Sequence, residues 1–148
     1  MADVPLFADR SDQCGPAAMA GVLRYWGKPV DMPSLKHEIY RGPLGGSLTV
    51  DLFLAAQAHG MTARLVDGGL KQVEEELNAG HPLVAYIAQG FAFLPVGHFM
   101  VLTGYDPQRR GFYANTDVRK NAFFPESRFA RQWNRGDRWA LLVLPPPP

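Results

Sequence analysis

Residues 14–26, Cys-Gly-Pro-Ala-Ala-Met-Ala-Gly-Val-Leu-Arg-Tyr-Trp, constrain the fold more than any other stretch of this chain. Arg24 is the only charged residue among them. Pro16 suits the first turn of a helix, where its missing N–H has no intrahelical partner to lose. Gly27 suits the stop, because glycine closes a helix in the left-handed region without penalty. Ala18, Val22, Tyr25 and Trp26 follow the i, i+4, i+7, i+8 spacing, and most intervening positions are apolar or small. A helix apolar on nearly every side is buried on nearly every side, so the rest of the chain has to be built around it. With 47% hydrophobic residues in 148 there is enough material for such a core. The length is that of one domain, expected over residues 1–145 with 146–148 as an exposed proline tail.

Further helices are expected at about 33–41, 49–59 and 70–79, the last two closed by Gly60 and Gly80. Glu74, Glu75 and Glu76 read as the solvent face of the last. The second half changes character. Short apolar runs at 83–88, 98–103, 111–115 and 139–144 read as strands, with a helix at about 125–133 before the last. Helices first and an antiparallel sheet afterwards make an α+β arrangement.

Charge excludes some partners. Fifteen basic and fourteen acidic residues leave a formal net charge of +1, which gives no electrostatic case for nucleic acid or an anionic membrane. No apolar run has the length of a membrane-spanning helix, and no basic-then-apolar signal opens the chain. The expectation is a soluble domain without direct membrane insertion, either cytoplasmic or exported with its signal trimmed. One cysteine forbids an intramolecular disulfide and argues against a thiolate metal cluster. His37 lies on an amphipathic helix, His59 ends one, and His81 sits in a Gly-His-Pro turn. No histidine pair has zinc-ligand spacing, so no metal or other cofactor is expected.

Two segments carry chemistry. In Gln13-Cys14-Gly15-Pro16-Ala17-Ala18 the cysteine opens the central helix. Unpaired N–H groups and the helix dipole there favour negative charge and lower a thiol pKa. The same groups can donate to an oxyanion. The structural alternative is a cysteine filling a gap beneath the helix. In Gly97-His98-Phe99-Met100-Val101-Leu102-Thr103-Gly104-Tyr105-Asp106, His98 opens an apolar strand after a loop at 89–97. It can face a cleft, or be a hydrogen-bonded core residue.

Together, Gln-Cys-Gly-Pro-Ala-Ala at Cys14 and Gly-His-Phe-Met-Val-Leu-Thr-Gly-Tyr-Asp at His98 resemble the double-glycine leader peptidases. These are papain-like cysteine peptidases found at the N-terminus of bacteriocin exporters and as stand-alone relatives. Val4-Pro5-Leu6-Phe7, Gly46-Ser47-Leu48, Gly80-His81-Pro82 and the run from Phe129 to Leu141 extend the likeness over nearly the whole chain. The resemblance implies a papain-like fold, the central helix packed on an antiparallel sheet, and a cysteine–histidine–aspartate triad with no cofactor. It implies a peptide or protein substrate, cut after a small pair such as Gly-Gly, and an exporter or membrane-bound partner.

The chain departs from the family pattern twice. Where relatives carry a glutamine that helps bind the oxyanion, this chain has Ala8 and Asp9; Gln13 is the candidate replacement. Where relatives carry the triad aspartate, the register falls nearest Thr116, within Tyr113-Ala114-Asn115-Thr116-Asp117-Val118. Side chains alternate along a strand, so Asn115 and Asp117 share a face that Thr116 does not. Asp117, brought in by a bulge or an early strand end, is the expected third member; Asn115 is the alternative orienting group. Two other functions fit the same residues: a non-catalytic peptide- or exporter-docking module of this fold, and an amidase or transglutaminase-like acyltransferase.

Overall fold

A computed structural model describes residues 1–7, 14–44, 46–91, 94–116 and 118–148. Helix α1 spans Cys14–Tyr25, and every residue from Cys14 to Leu23 is buried. Gly27 stands at φ +82°, as a helix-closing glycine does. α2 (Met32–Ile39) and α3 (Thr49–Ala58) pack beside it. β1 (Thr62–Leu65) and α4 (Gly69–Asn78) follow. Then come β2 (Leu83–Phe91), β3 (Leu94–Asp106), β4 (Gly111–Thr116), β5 (Arg119–Pro125), α5 (Glu126–Arg135) and β6 (Ala140–Leu144).

The six strands form one antiparallel sheet in the order β1-β6-β2-β3-β4-β5. Its two faces feed two cores. Val84, Phe99, Val101, Leu141 and Val143 point toward α1 and meet Met19, Val22 and Leu23. Leu83, Ile87, Met100, Leu102 and Phe112 point the other way and meet Val73 and Leu77 of α4 and Phe129 and Trp133 of α5. Strands covered on both sides read as unbroken apolar runs rather than alternating ones, and this explains why 83–88 and 98–103 stand out in the sequence.

Two strands were not expected. β1 and β5 are the edges of the sheet, where partial exposure removes the apolar pattern; β5 opens with Arg119-Lys120-Asn121. The expected loop at 89–97 is largely strand: β2 reaches Phe91 and β3 begins at Leu94, so His98 lies inside β3 rather than at its start. Glu75 is exposed, but Glu74 and Glu76 are half-buried. Glu76 holds His81 Nδ1 at 2.8 Å. Glu74 lies near Tyr105 and Glu126, and burial followed by contact with Glu126 pushes its carboxyl up.

The opening residues are tied to the sheet. The Ala2 amide donates to the Thr103 carbonyl at 2.8 Å, and Asn115 Nδ2 donates to the Val4 carbonyl at 2.9 Å. Val4 is fully buried. Between α2 and α3, Arg41 donates to both oxygens of Asp51, at 3.0 and 2.9 Å. These bonds hold the buried Asp51 carboxyl below its ordinary value.

Two outcomes are expected in denaturant unfolding. Leu23→Ala removes a fully buried side chain from the α1 core and lowers stability by about 2–5 kcal/mol. Asp51 titrates lower in the folded state than in the unfolded one, so its contribution is complete above the unfolded carboxylate value of about 3.9. It is lost as pH falls through the folded value. Asp51→Asn reduces the acid-side loss of stability between about pH 4 and 2, measured as the change in midpoint with pH.

Candidate active site

Cys14 is the first residue of α1 and is 7% exposed. Burial of the whole first turn follows from its sequence: Gly15, Pro16, Ala17 and Ala18 are small enough to let the helix lie flat on β3. The amide N–H of Phe99 donates to Cys14 Sγ at 3.3 Å, across 85 residues of sequence. The thiol therefore sits against the peptide that follows His98. Gly15 is required here. A Cβ at that position would lie 2.7 Å from Ser47 Oγ, which is closer than such contacts allow. Ser47 thus covers the helix start, and its Oγ is enclosed without a hydrogen-bond partner among the described residues.

His98 is 6% exposed, and its Nε2 lies 2.5 Å from Oγ1 of Thr116, itself 5% exposed. By the pairing of β3 with β4, Asn115 stands opposite Val101, so Thr116 falls on the side of Met100 and His98. The pairing of β4 with β5 shifts register between Ala114 and Thr116. Beside the shift, Asn115 and Thr116 both line the small cavity of about 20 Å³ that also touches Cys14, Ala18 and Phe99. Regular alternation would have put the two on opposite faces.

The sequence-predicted residues fall into three groups. Cys14 and His98 come together through Phe99. The side chain of Asn115 is taken up elsewhere: Nδ2 holds Val4, and Oδ1 accepts from the Asn121 amide at 2.9 Å. The histidine contact goes to Thr116 beside it. Asp117 and Gln13, together with Ala8 and Asp9, lie outside the described residues.

Sequence reasoning missed Tyr86. It reads as one more apolar position in strand 83–88, yet its hydroxyl lies beside the residue preceding His98. A Cβ at Gly97 would stand 1.6 Å from Tyr86 Oη, so any larger residue there would have to displace the Tyr86 ring. The Tyr86 ring packs on Phe99 at 4.8 Å, and Phe99 packs edge-on against Trp139 at 5.7 Å. Burial raises the Tyr86 phenol, with further contributions from negative charge on Cys14 and on Asp137. A glycine immediately before a candidate histidine was the available signal, since it leaves a space that a large cross-strand neighbour can fill.

Tyr86 also lines an open groove of about 270 Å³. Ser47, Leu48 and Thr49 border it, as do Gly136, Asp137 and Trp139. Among the described residues no cluster of three or more histidine, cysteine or carboxylate side chains is placed to hold a metal ion. No helix among them is long and apolar enough to cross a membrane.

The fold is shared with solved cysteine proteases. A double glycine motif protease from an AMS/PCAT transporter, solved in complex with the leader peptide, aligns with TM-score 0.76 and 22% identity, over 98% of this chain and 94% of that one. The peptidase domain of Streptococcus ComA, a bi-functional ABC transporter involved in quorum sensing, aligns with TM-score 0.75 and 17% identity, over 99% and 100%. The interpain A cysteine protease of Prevotella intermedia aligns with TM-score 0.57 and 14% identity, over 93% and 86%. These likenesses place the chain in the α+β, papain-like fold class. No curated protein matches the sequence. The model of the Peptidase_C39 like family matches residues 1–138. That span carries α1 and the β2–β3–β4 region, and with them both halves of the cysteine–histidine site, so the chain belongs to the Peptidase_C39 like family.

Proposed function

We propose that the protein is a cysteine-type peptidase in which Cys14 is the nucleophile and His98 the base. The observation that carries this reading is the seat of the Cys14 thiol, at the N-terminus of a buried helix and 3.3 Å from the amide that follows His98. The helix dipole and the donated N–H both favour a thiolate there, and an adjacent imidazole can take the proton.

In the reaction, Cys14 Sγ adds to the substrate carbonyl carbon while its proton passes to His98. The C–N bond then breaks, and the imidazolium protonates the departing amine. Water, deprotonated by the neutral imidazole, adds to the thioester, and C–S cleavage returns the thiol and releases the acid. N–H groups of the first turn of α1 supply donors for the oxyanion, with Gln13 proposed as a further one. Asp117 is the acidic candidate for balancing the charge of the imidazolium.

The groove bordered by Ser47, Tyr86 and Trp139 supports a peptide substrate approaching in extended form. Ser47, which stands over the start of α1 at Gly15, and Tyr86, which stands over Gly97, both line it, so we assign it to the residues beside the cut, a small pair such as Gly-Gly. Leu48 at its edge, and Val50 and Leu54 on α3, are exposed and are proposed as an apolar shelf for residues of a leader peptide further from the cut. A solved relative is in complex with its leader peptide and others are domains of ABC transporters. We extend the same partners, a leader-bearing peptide and an exporter, to this chain.

The test is the pH dependence of Cys14 alkylation by iodoacetamide, with cleavage of Gly-Gly-containing leader-like peptides as the second readout. Wild type is expected to react well below the free-thiol value of about 8.5. His98→Ala is expected to move the profile up toward that value and to abolish cleavage. A wild-type thiol that titrates like a free cysteine would refute the peptidase reading.

A further inference from the structure

We propose that Thr116 is the positioning residue of the candidate site, its hydroxyl holding the His98 imidazole so that Nδ1 faces the thiol. This deepens the peptidase reading and rests on it. The 2.5 Å contact between Thr116 Oγ1 and His98 Nε2 is made between two side chains that are each about 95% buried. Such a bond is costly to lose, because a buried donor left unpaired forfeits its solvation.

The direction of the bond decides the tautomer. A hydroxyl can accept from Nε2–H, and then Nδ1 carries the lone pair that takes the Cys14 proton. The same acceptor serves the imidazolium, whose Nε2 also bears a proton. If the hydroxyl instead donated to Nε2, the proton would sit on Nδ1 and the ring could not act as base from that atom. Only the first arrangement serves both states of the reaction.

A threonine differs from a carboxylate in one respect. It orients the ring without adding a negative charge, so it does not itself raise the imidazolium's pKa. A carboxylate at the same distance raises it by about 1–3 units. Titratable neighbours on the described elements include the Cys14 thiol from α1 and the Tyr86 phenol from β2, whose hydroxyl overlies Gly97. Asp117 follows Thr116 in the chain and serves as the control.

Two readouts on four proteins test the assignment: wild type, Thr116→Val, Thr116→Ser and Asp117→Asn. The first is the nitrogen-15 signature of the His98 ring. Wild type and Thr116→Ser are expected to hold the Nε2–H form, and Thr116→Val to show mixed tautomers. The second is the alkylation rate of Cys14 between pH 5 and 9. Thr116→Val is expected to lose roughly tenfold at the acid end, the scale of one hydrogen bond to a charged group. Thr116→Ser should stay within about twofold of wild type, well inside that one-bond scale. A wild-type ring in the Nδ1–H form, a valine variant that matches wild type, or a serine variant as impaired as valine would overturn the proposal. So would loss of the Nε2–H form in Asp117→Asn while Thr116→Val keeps it. If the wild-type thiol proves ordinary while the tautomer still follows Thr116, the peptidase reading falls and the hydroxyl's hold on the ring stands.

Discussion

Everything at this site depends on the first turn of α1 being buried against β3. A helix start normally meets water, which satisfies its four unpaired N–H groups. Here water is displaced by small residues, by Ser47 above Gly15, and by the thiol of Cys14 against the Phe99 amide. Such a turn is stable only if the rest of the helix is held on every side. α2, α3 and the opening residues do this on one flank, and the sheet does it on the other. The sheet in turn needs α4 and α5 on its far face, or the apolar side of Met100, Leu102 and Phe112 would lie open. The layers are linked by necessity: without α4 and α5 there is no covered sheet, and without the sheet no buried helix start.

The parts of this fold that were legible in the sequence are those where burial is complete. α1 declared itself by having one charge in thirteen residues, 14–26, and the central strands by continuous apolar runs. The edges were silent, because β1 is half exposed and β5 begins with three polar residues. In the candidate site, Cys14 and His98 stood out because each sits at a marked position, a helix start and the head of an apolar run. The contact of the imidazole with Thr116 did not. Period-two reasoning sorts Asn115 and Asp117 onto one face and Thr116 onto the other, but which face meets His98 is set by how β4 pairs with β3. That register leaves no compositional trace, and Asp117 lies outside the described residues.

Asn115 shows how two neighbouring residues divide tasks that sequence reasoning merged. Its amide fastens the opening segment through Val4 and steadies the β4–β5 turn through Asn121, which stands at φ +54°. A side chain committed at both ends to backbone groups is a structural tie. Its neighbour Thr116 makes contact with the ring and lines the same small cavity.

The distance in sequence between the thiol and its surroundings has a consequence for the life of the chain. Cys14 is synthesised before its partner, and the amide that it accepts from follows 85 residues later. At about 5–20 residues per second, the nascent chain carries its cysteine for several seconds before β3 exists to receive it. During that interval the thiol has neither a buried seat nor a neighbouring imidazole, and its chemistry is that of any free cysteine in an unfinished protein. If the site is catalytic, its reactivity is thus withheld until the sheet closes, a delay imposed by chain order alone.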